Sequence, residues 1–342
     1  MDRVKALVEG TPMELGIYSF GDLAPRSGGE PADVARRLAD LVDQVRTADG
    51  AGLDVVAIGE HHRREFTVSA PEIVLAALAG VTSSIRLASG VTVLSTQDPV
   101  RVFQQFATLD QLSGGRAEVI VGRGAFTESF PLFGHDLRDY DELFDTKVKA
   151  LLELTRSREL PVVNGVDVVP RPLQPELPVW IGVGGTPQSA IRAGVLGTPM
   201  FLAFFTGPET SRGTAELYRR AGEQAGHDPA SLRLASGGHM FVGRTSQGAK
   251  DDFYPYYSDY FSLHPRMRDG MPRGVYDEWL RAGLLVGSPQ EVVDKILRHR
   301  EVLGVDRYVG QFDVGGMPVA MTNRSLELFL TEVVPAVRAE TA

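Results

Sequence analysis

The 342-residue chain contains no cysteine, which excludes disulfides, thiolate metal sites, iron–sulfur clusters and a cysteine nucleophile. Basic residues are also in deficit, because 35 lysines and arginines stand against 44 acidic residues, a formal net charge of −9. This balance argues against nonspecific binding to nucleic acid and against attachment to an anionic membrane surface. We therefore expect neither nucleic acid nor a membrane among its partners.

Long apolar runs are missing as well. The longest one, near residues 73–81, is too short to cross a bilayer, and residues 1–16 lack the apolar core of a signal peptide. With 43% hydrophobic and 23% charged residues, the composition is that of an ordinary globular protein. We expect a cytoplasmic enzyme.

Strand-like and helix-like segments alternate along the whole chain. Strands are predicted at residues 13–19, 53–59, 85–94, 117–121, 179–183, 200–205, 232–242 and 307–312. Helices are predicted at residues 31–50, 69–83, 98–112, 139–156, 187–196, 208–225, after 245, at 289–303 and at 325–337. Eight β/α units without a linker predict a single-domain TIM (β/α)8 barrel over residues 1–342. A doubly wound open sheet is the alternative.

One pattern interrupts this alternation. Asn164-Gly165 lies between two β-rich runs within residues 161–169, and this dipeptide is typical of a tight hairpin turn. We predict a β-hairpin inserted before the fifth strand of the barrel.

The most informative stretch is Gly59-Glu60-His61-His62, at the end of the second predicted strand. In parallel barrels, the carboxyl ends of the strands carry the ligands. Adjacent strand residues point to opposite faces, so the two histidines are not expected to chelate one ion together, and we predict no metal site. Two interpretations remain: a histidine paired with Glu60 or another acid, or a general base or hydrogen-bond donor facing the barrel mouth.

Two glycine-containing segments at the same rim favour an anion site. Gly184-Gly185-Thr186-Pro187 leads from the fifth strand into a helix, where Thr186 suits the N-cap and free backbone N–H groups attract anions. Gly122-Arg123-Gly124 follows the fourth strand, and an arginine fork suits a phosphate. Each segment also has a structural interpretation, a tight turn for the glycines and an ion pair across the barrel top for Arg123. Together they favour a phosphate-bearing ligand.

These residues resemble the bacterial luciferase-like flavin monooxygenases. The similarity is carried, in order, by Gly59-Glu60-His61-His62, Phe66, Leu87-Ala88-Ser89-Gly90-Val91-Thr92-Val93-Leu94, Asp98-Pro99-Val100-Arg101, Leu109-Asp110-Gln111-Leu112-Ser113-Gly114-Gly115-Arg116, Gly122-Arg123-Gly124 and Phe133-Gly134. The resemblance implies a TIM barrel that binds reduced FMN at the carboxyl ends of its strands. It also implies reaction with O2 through a flavin C4a-peroxide, which oxygenates a small organic substrate.

The resemblance further implies roles for individual residues. His61 matches the family's catalytic histidine, and Arg123 matches its phosphate-binding arginine. Ser189, with Gly184, Gly185 and Thr186, falls at the family's second phosphate contact. Gly90-Val91 falls where the family often has a non-proline cis peptide beneath the flavin. The expected partners are a separate NAD(P)H:flavin reductase, which supplies reduced FMN, and a second copy of the chain in a homodimer formed through residues 69–83 and 98–112.

Two positions depart from luciferase. Gly122 stands where luciferase has a cysteine beside the phosphate arginine, and Ser129 stands where it has an acidic residue. The resemblance is therefore not extended to light emission or to aldehyde specificity, whereas flavin binding remains expected.

Three other functions compete with this interpretation. A deazaflavin (F420)-dependent oxidoreductase on the same barrel transfers hydride without O2, and neither the histidine pair nor Arg123 excludes it. His61 argues against a non-catalytic flavin-binding subunit, and the Glu-His-His run fits poorly with a sugar-phosphate enzyme that has no flavin. The substrate pocket is expected between residues 19–30 and 248–283, and there Phe253, Tyr256, Tyr257 and Tyr260 share one helical face, which we expect to be a packing face.

Overall fold

Eight parallel strands close into a barrel. The computed structural model describes residues 10, 12–24, 31–124, 126–203, 207–264 and 266–342. Its strands are β1 Glu14–Ser19, β2 Val55–Ile58, β3 Arg86–Ser89, β4 Thr92–Val93, β5 Ala117–Gly122, β6 Val162–Val163, β7 Val166–Asp167, β8 Val179–Val183, β9 Met200–Ala203, β10 Leu234–Val242, β11 Leu285–Gly287 and β12 Arg307–Gln311. The barrel order is β1-β2-β3-β5-β8-β9-β10-β12, and β12 pairs in parallel with β1 to close it. This confirms the TIM barrel and excludes the open sheet.

Helices follow the barrel strands on the outside. The α-helices in the described ranges are α1 Pro31–Gly50, α2 Pro71–Ala79, α3 Pro99–Ser113, α4 Ser129–Leu132, α5 Tyr140–Arg156, α6 Pro187–Val195, α7 Arg212–Gln224, α8 Ser246–Phe261, α9 Arg273–Ala282, α10 Pro289–Leu303, α11 Val319–Leu328 and α12 Val334–Thr341. Several begin as their sequences predict. Asp98 caps α3, for example, by accepting a hydrogen bond from the backbone N–H of Arg101 at 2.9 Å. None of these helices is long and apolar enough to span a membrane.

The predicted hairpin is confirmed. Strands β6 and β7 pair antiparallel, and they precede β8, the fifth strand of the barrel. Asn164 and Gly165 both adopt positive φ, 51° and 78°, the conformation that a two-residue hairpin turn requires and that asparagine and glycine tolerate.

Two predicted segments are wrong in detail. Residues 85–94 do not form one strand: β3 ends at Ser89, a cis peptide joins Gly90 to Val91, and β4 then pairs separately with β5. Residues 325–337 do not form one α-helix, because a π-helical turn, Phe329–Val333, separates α11 from α12. Hydrophobic periodicity reports neither kind of local break. The last two residues of the predicted strand 200–205, and residues 25–30 of the predicted pocket loop, lie outside the described part of the chain.

The amino-terminal end of the barrel is closed by a buried ion network. Arg307 is 1% exposed, and its guanidinium donates to Glu118 at 2.6 and 3.1 Å and to Glu14 at 2.7 Å. The same guanidinium lies 4.6 Å from the ring centre of Trp180, inside the barrel. Because these groups are paired at the end opposite the carboxyl ends of the strands, we assign them to stability rather than to ligand binding.

Candidate active site at the carboxyl ends of the strands

The segment after β2 is fastened to its neighbours by the backbone. Gly59 N–H donates to the carbonyl of Ser19 at 2.9 Å, and His61 N–H donates to the carbonyl of Val68 at 3.0 Å. Gly59 must be glycine, since a Cβ there would lie 2.1 Å from the Phe20 ring and 2.7 Å from the Gly90 carbonyl oxygen. The loop that carries the two histidines is thus held in one position against the β1 and β3 ends.

His61 lies in an aromatic cluster. Its ring centroid is 4.2 Å from that of Phe20, 4.5 Å from that of Phe66 and 4.8 Å from that of Phe126. Burial lowers the pKa of His61 to about 3, and the nearby charges of Arg63 and His62 add to the effect. The imidazole is therefore neutral at physiological pH, with one nitrogen that donates and one that accepts.

Two of the phenylalanines around His61, Phe20 and Phe66, are positioned by a short antiparallel pairing of the β1 loop with the β2 loop. Asp22 and Phe66 form an isolated bridge, and Val68 N–H donates to the carbonyl of Phe20 at 3.3 Å. The Asp22 carboxyl group in turn accepts hydrogen bonds from Gln311 and from Gly315 N–H, at 3.1 and 3.0 Å. Sequence reasoning included Phe66 in the resemblance but missed Phe20 and this pairing, because the two segments are distant in sequence.

The histidine that pairs with Glu60 is His62. Its Nε2 donates to Glu60 Oε1 at 2.8 Å, while the other carboxylate oxygen accepts from Val93 N–H at 2.8 Å and from Gln97 at 3.0 Å. Glu60 is 2% exposed, so it ties the β2 loop to β4 as a buried hub. The two interpretations of the histidine pair therefore apply to different residues. His62 is the histidine paired with Glu60, whereas the ring nitrogens of His61 have no hydrogen-bond partner among the described residues.

The peptide bond between Gly90 and Val91 is cis, as the resemblance implied. The Val91 side chain lies between two glycines of neighbouring strands: a Cβ on Gly122 or on Gly182 would come within 2.7 Å of its methyl groups. This packing explains why a glycine occupies position 122, where luciferase has a cysteine. Gly90-Val91 thus forms part of the barrel mouth, between the β2 loop and the end of β5.

Arg123 reaches from the end of β5 to the start of α6. Its Nη2 donates to Ser189 Oγ at 2.9 Å and to Thr186 Oγ1 at 3.1 Å, and its guanidinium lies 4.9 Å from the centre of the Tyr140 ring. Its Nη1 donates to Asp141 at 2.6 Å. The structure therefore brings Arg123, Thr186 and Ser189 together as the phosphate interpretation requires, and it also contains the ion pair of the structural interpretation.

The turn before α6 is open. A Cβ on Gly184 or Gly185 would meet nothing within 4 Å, and Gly185 has a φ of +98°. Thr186 occupies the N-cap position, but its side chain makes no capping hydrogen bond; it donates to Ser189 Oγ at 2.7 Å instead. The predicted N-cap position of Thr186 is confirmed, but its hydroxyl contacts Arg123 and Ser189 rather than a backbone N–H of the helix. Ser189 N–H donates to the carbonyl of Thr186 at 3.1 Å, so an anion at this helix start would meet the N–H groups that precede Ser189.

A second arginine, Arg192, borders this turn, and sequence reasoning missed it. Arg192 lies one helical turn after Ser189, forms an ion pair with Asp145 and is 3.9 Å from Asp141. Its Nη1 is buried and has no hydrogen-bond partner in the part of the chain that the structure describes. The spacing of three residues from Ser189 was a usable signal, since residues i and i+3 share a helix face.

The aromatic face of α8 is mainly a packing face, as expected. Phe253 and Tyr257 are buried in a cluster with Phe241 and Tyr276. Tyr260 differs from them, because its ring centroid lies 6.5 Å from that of Phe66, next to His61. Tyr260 therefore links α8 to the aromatic cluster at the barrel mouth.

Comparison with known proteins gives the family. A family profile described as luciferase-like monooxygenase matches residues 13–307. The chain belongs to this family. A relative named alkanal monooxygenase alpha chain, from the symbiont of Kryptophanaron alfredi, is 25% identical over 336 residues, 89% of this chain and 93% of the relative. The oxygenase component of a flavin-dependent trigonelline monooxygenase from Acinetobacter baylyi is 25% identical over 329 residues, 87% and 89% of the two chains. The predicted resemblance is confirmed, and with it a flavin-dependent monooxygenase as the class of enzyme.

Solved structures agree on the fold. A monooxygenase from Streptomyces bottropensis has a TM-score of 0.77 at 24% identity, covering 95% of this chain and 99% of its own. The FMN complex of the oxygenating constituent of 3,6-diketocamphane monooxygenase from Pseudomonas putida gives 0.74 at 20% identity, with 95% and 98% covered. An F420-dependent secondary alcohol dehydrogenase also gives 0.74 at 20% identity, with 95% and 99% covered. At these identities the likeness concerns the fold alone. Proteins that bind FMN and proteins that depend on F420 both have this fold.

Proposed function

We propose that the protein is an FMN-dependent monooxygenase that uses reduced FMN and O2 to oxygenate a small organic substrate. The observation that carries this proposal is the contact of Arg123 with Ser189 and Thr186 at the open start of α6. Phosphate binding at a helix N-terminus beside an arginine fork needs those elements together.

The residues of this turn fit a flavin phosphate. Gly184 and Gly185 leave open space where side chains would stand, so a phosphate can approach the backbone N–H groups closely. Arg123 supplies a cation that is 20% exposed, and Ser189 and Thr186 supply hydroxyl groups. FMN carries the phosphate that this arrangement suits, and riboflavin lacks it. We assign Gly90, Val91, Arg123, Gly184, Gly185, Thr186 and Ser189 to cofactor binding.

We assign His61 to the chemistry at the reactive end of the flavin. Reduced FMN, when bound, supplies the electrons that activate O2, one atom of which enters the substrate. Phe20, Phe66 and Phe126 pack against the imidazole, which is partly buried, and reduce its contact with water. Because the ring is neutral, one nitrogen of His61 is able to accept a proton or a hydrogen bond, and the other is able to donate a hydrogen bond.

The relatives support a separate source of electrons. The trigonelline enzyme is named as an oxygenase component, which indicates a partner that supplies reduced flavin. We propose the same division for this chain, with an NAD(P)H:flavin reductase as the partner and a homodimer as the oxygenase.

Hydride transfer with F420 is the second candidate. The observation that favours it is the F420-dependent alcohol dehydrogenase of the same fold, and a phosphate-bearing deazaflavin would meet the same arginine and helix start. FMN is preferred because the alkanal and trigonelline relatives are named as monooxygenases.

A titration of the purified protein with flavins separates the two candidates. Anaerobic titration with reduced FMN and with reduced F420, followed by absorbance and fluorescence, should give saturable binding of FMN and weaker binding of F420. Selective binding of reduced F420, with no saturable binding of reduced FMN, would replace oxygenation by hydride transfer. Loss of binding in His61→Phe is not expected, since the phosphate is held elsewhere.

A further inference from the structure

A carboxylate of the protein already lies beside Arg123, where we propose that the flavin phosphate binds. Asp141, in the first turn of α5, places its Oδ1 2.6 Å from Arg123 Nη1 and 3.9 Å from Arg192 Nη2. One oxygen atom of the protein thus lies between two guanidinium groups. A phosphate oxygen bound to Arg123 and Arg192 would occupy a position of this kind.

Arg192 has unused capacity for such an anion. Its side chain is 15% exposed, and its Nη1 is buried without a hydrogen-bond partner among the described residues. Side chains on a helix lean towards its N-terminus, so Arg192 extends towards Ser189, which already contacts Arg123 at 2.9 Å. A buried guanidinium N–H that lacks an acceptor is costly. A phosphate oxygen would supply the missing acceptor.

The charges balance only when no phosphate is present. Arg123 and Arg192 are matched by Asp141 and Asp145, which form ion pairs with them. A dianionic phosphate that joined this group with Asp141 in place would lie beside a like charge. Asp141 is 71% exposed, so its side chain can turn into solvent at little cost, whereas Arg192 is held by Asp145 and by the Phe144 ring, 5.6 Å away.

We propose that Asp141 is an internal competitor for the flavin phosphate and that Arg192 is a second phosphate-binding arginine. When phosphate binds, Asp141 releases Arg123 and turns outward, and Arg192 Nη1 donates to a phosphate oxygen. This inference rests on the proposed function, since it concerns the same phosphate. It adds that flavin affinity is held down by a carboxylate of the protein itself.

Neutralising Asp141 tests the competition. Asp141→Asn should tighten FMN about fivefold, because a like charge at ~4 Å in a solvent-exposed site is worth about 1 kcal/mol. Riboflavin affinity should stay as in the parent protein. Glu142→Gln is the matched control, since Glu142 is exposed, follows Asp141 in the same helical turn and loses the same charge; it should leave FMN affinity unchanged. An unchanged or weaker FMN affinity in Asp141→Asn would show that Asp141 orients Arg123 instead, and would overturn the proposal.

Arg192→Lys tests the second arginine. Lysine keeps the positive charge but has no guanidinium fork, so FMN should bind several-fold more weakly while riboflavin binds equally. Equal affinity for FMN in the parent and in Arg192→Lys would remove Arg192 from the phosphate site.

Inorganic phosphate provides a readout without flavin. Phosphate should raise the melting temperature of Asp141→Asn more than that of the parent or of Glu142→Gln, because at a given concentration a ligand that binds the folded protein more tightly stabilises it more. Equal rises in the three proteins would overturn the competition. If phosphate stabilises Asp141→Asn more than the other two proteins but the parent does not bind FMN, the proposed function fails. The inference that Asp141 competes with phosphate then stands.

Discussion

Replacing His61 with phenylalanine separates the packing of this side chain from its ring nitrogens. The imidazole contacts the rings of Phe20, Phe66 and Phe126, and a phenyl ring is able to keep these contacts. The variant should therefore fold, and the difference between the two proteins should report what the nitrogens do.

The first effect concerns stability against pH. Burial lowers the pKa of His61 to about 3, whereas an unfolded histidine titrates at about 6.5. Below that pH the unfolded chain binds a proton that the folded protein does not, so this contribution to stability is complete above about pH 6.5 and is lost as the pH falls towards 3. Between about pH 7.5 and pH 5 the loss amounts to about 2 kcal/mol. His239 and His299 also have pKa values lowered to about 3 by burial, but both remain in the variant, so they cancel in the comparison.

Urea unfolding of both proteins at these two pH values measures the effect. The free energy of unfolding of the parent should fall by about 2 kcal/mol more than that of His61→Phe. Equal pH dependence would mean that the folded protein protonates His61 as readily as the unfolded chain does. The reasoning about a neutral imidazole in a water-poor aromatic cluster would then be refuted.

The second effect concerns the reaction. Stopped-flow mixing of reduced FMN on the protein with oxygenated buffer should show faster release of hydrogen peroxide in His61→Phe, at unchanged FMN affinity. Product formation with any accepted substrate should fall by ~10²-fold or more, the scale for loss of a positioned acid–base group. Identical time courses for the two proteins would leave His61 with a packing role only.

Two other substitutions address stability and assembly. Glu118→Gln should lower the free energy of unfolding in urea by about 3–5 kcal/mol, because it leaves the buried charge of Arg307 without this carboxylate partner. Burial alone would raise the pKa of Glu118, but Arg307 and Arg86 outweigh burial and hold that pKa at about 2. A loss below about 1 kcal/mol would contradict this account. Ile73 is 67% exposed on α2 and Leu112 is 64% exposed on α3, so Ile73→Glu should convert the expected homodimer to monomer in light scattering. A parent protein that is already monomeric at micromolar concentration would rule out the dimer.

The barrel was predictable because its strands are short apolar runs separated by glycine, proline and amphipathic helices. The break after Ser89 was not, since residues 85–94 remain apolar across the cis peptide and only the second pairing with β5 reveals it. The partner of Glu60 could have been predicted more closely. Glu60 and His62 are two residues apart, and in an extended segment such residues share a side.

The turn before α6 shows the limit of sequence reasoning most clearly. The glycines, Thr186 and Arg123 were found as separate signals, each tied to a strand end. The contact of Arg123 with Asp141 and the ion pair of Arg192 with Asp145 were not found, because α5 and α6 meet only in the folded barrel and charged residues are common on helix surfaces. A side-chain partner distant in sequence leaves no periodic trace.

The most direct test of the phosphate assignment compares FMN with riboflavin in Arg123→Met. A charge-assisted hydrogen bond to phosphate contributes ~1.5–3 kcal/mol, so FMN should bind to Arg123→Met roughly 10- to 150-fold more weakly than to the parent. Riboflavin, which has no phosphate, should bind both proteins equally. Equal losses for the two flavins, or no loss for either, would contradict the central claim that Arg123 and the start of α6 hold the phosphate of FMN.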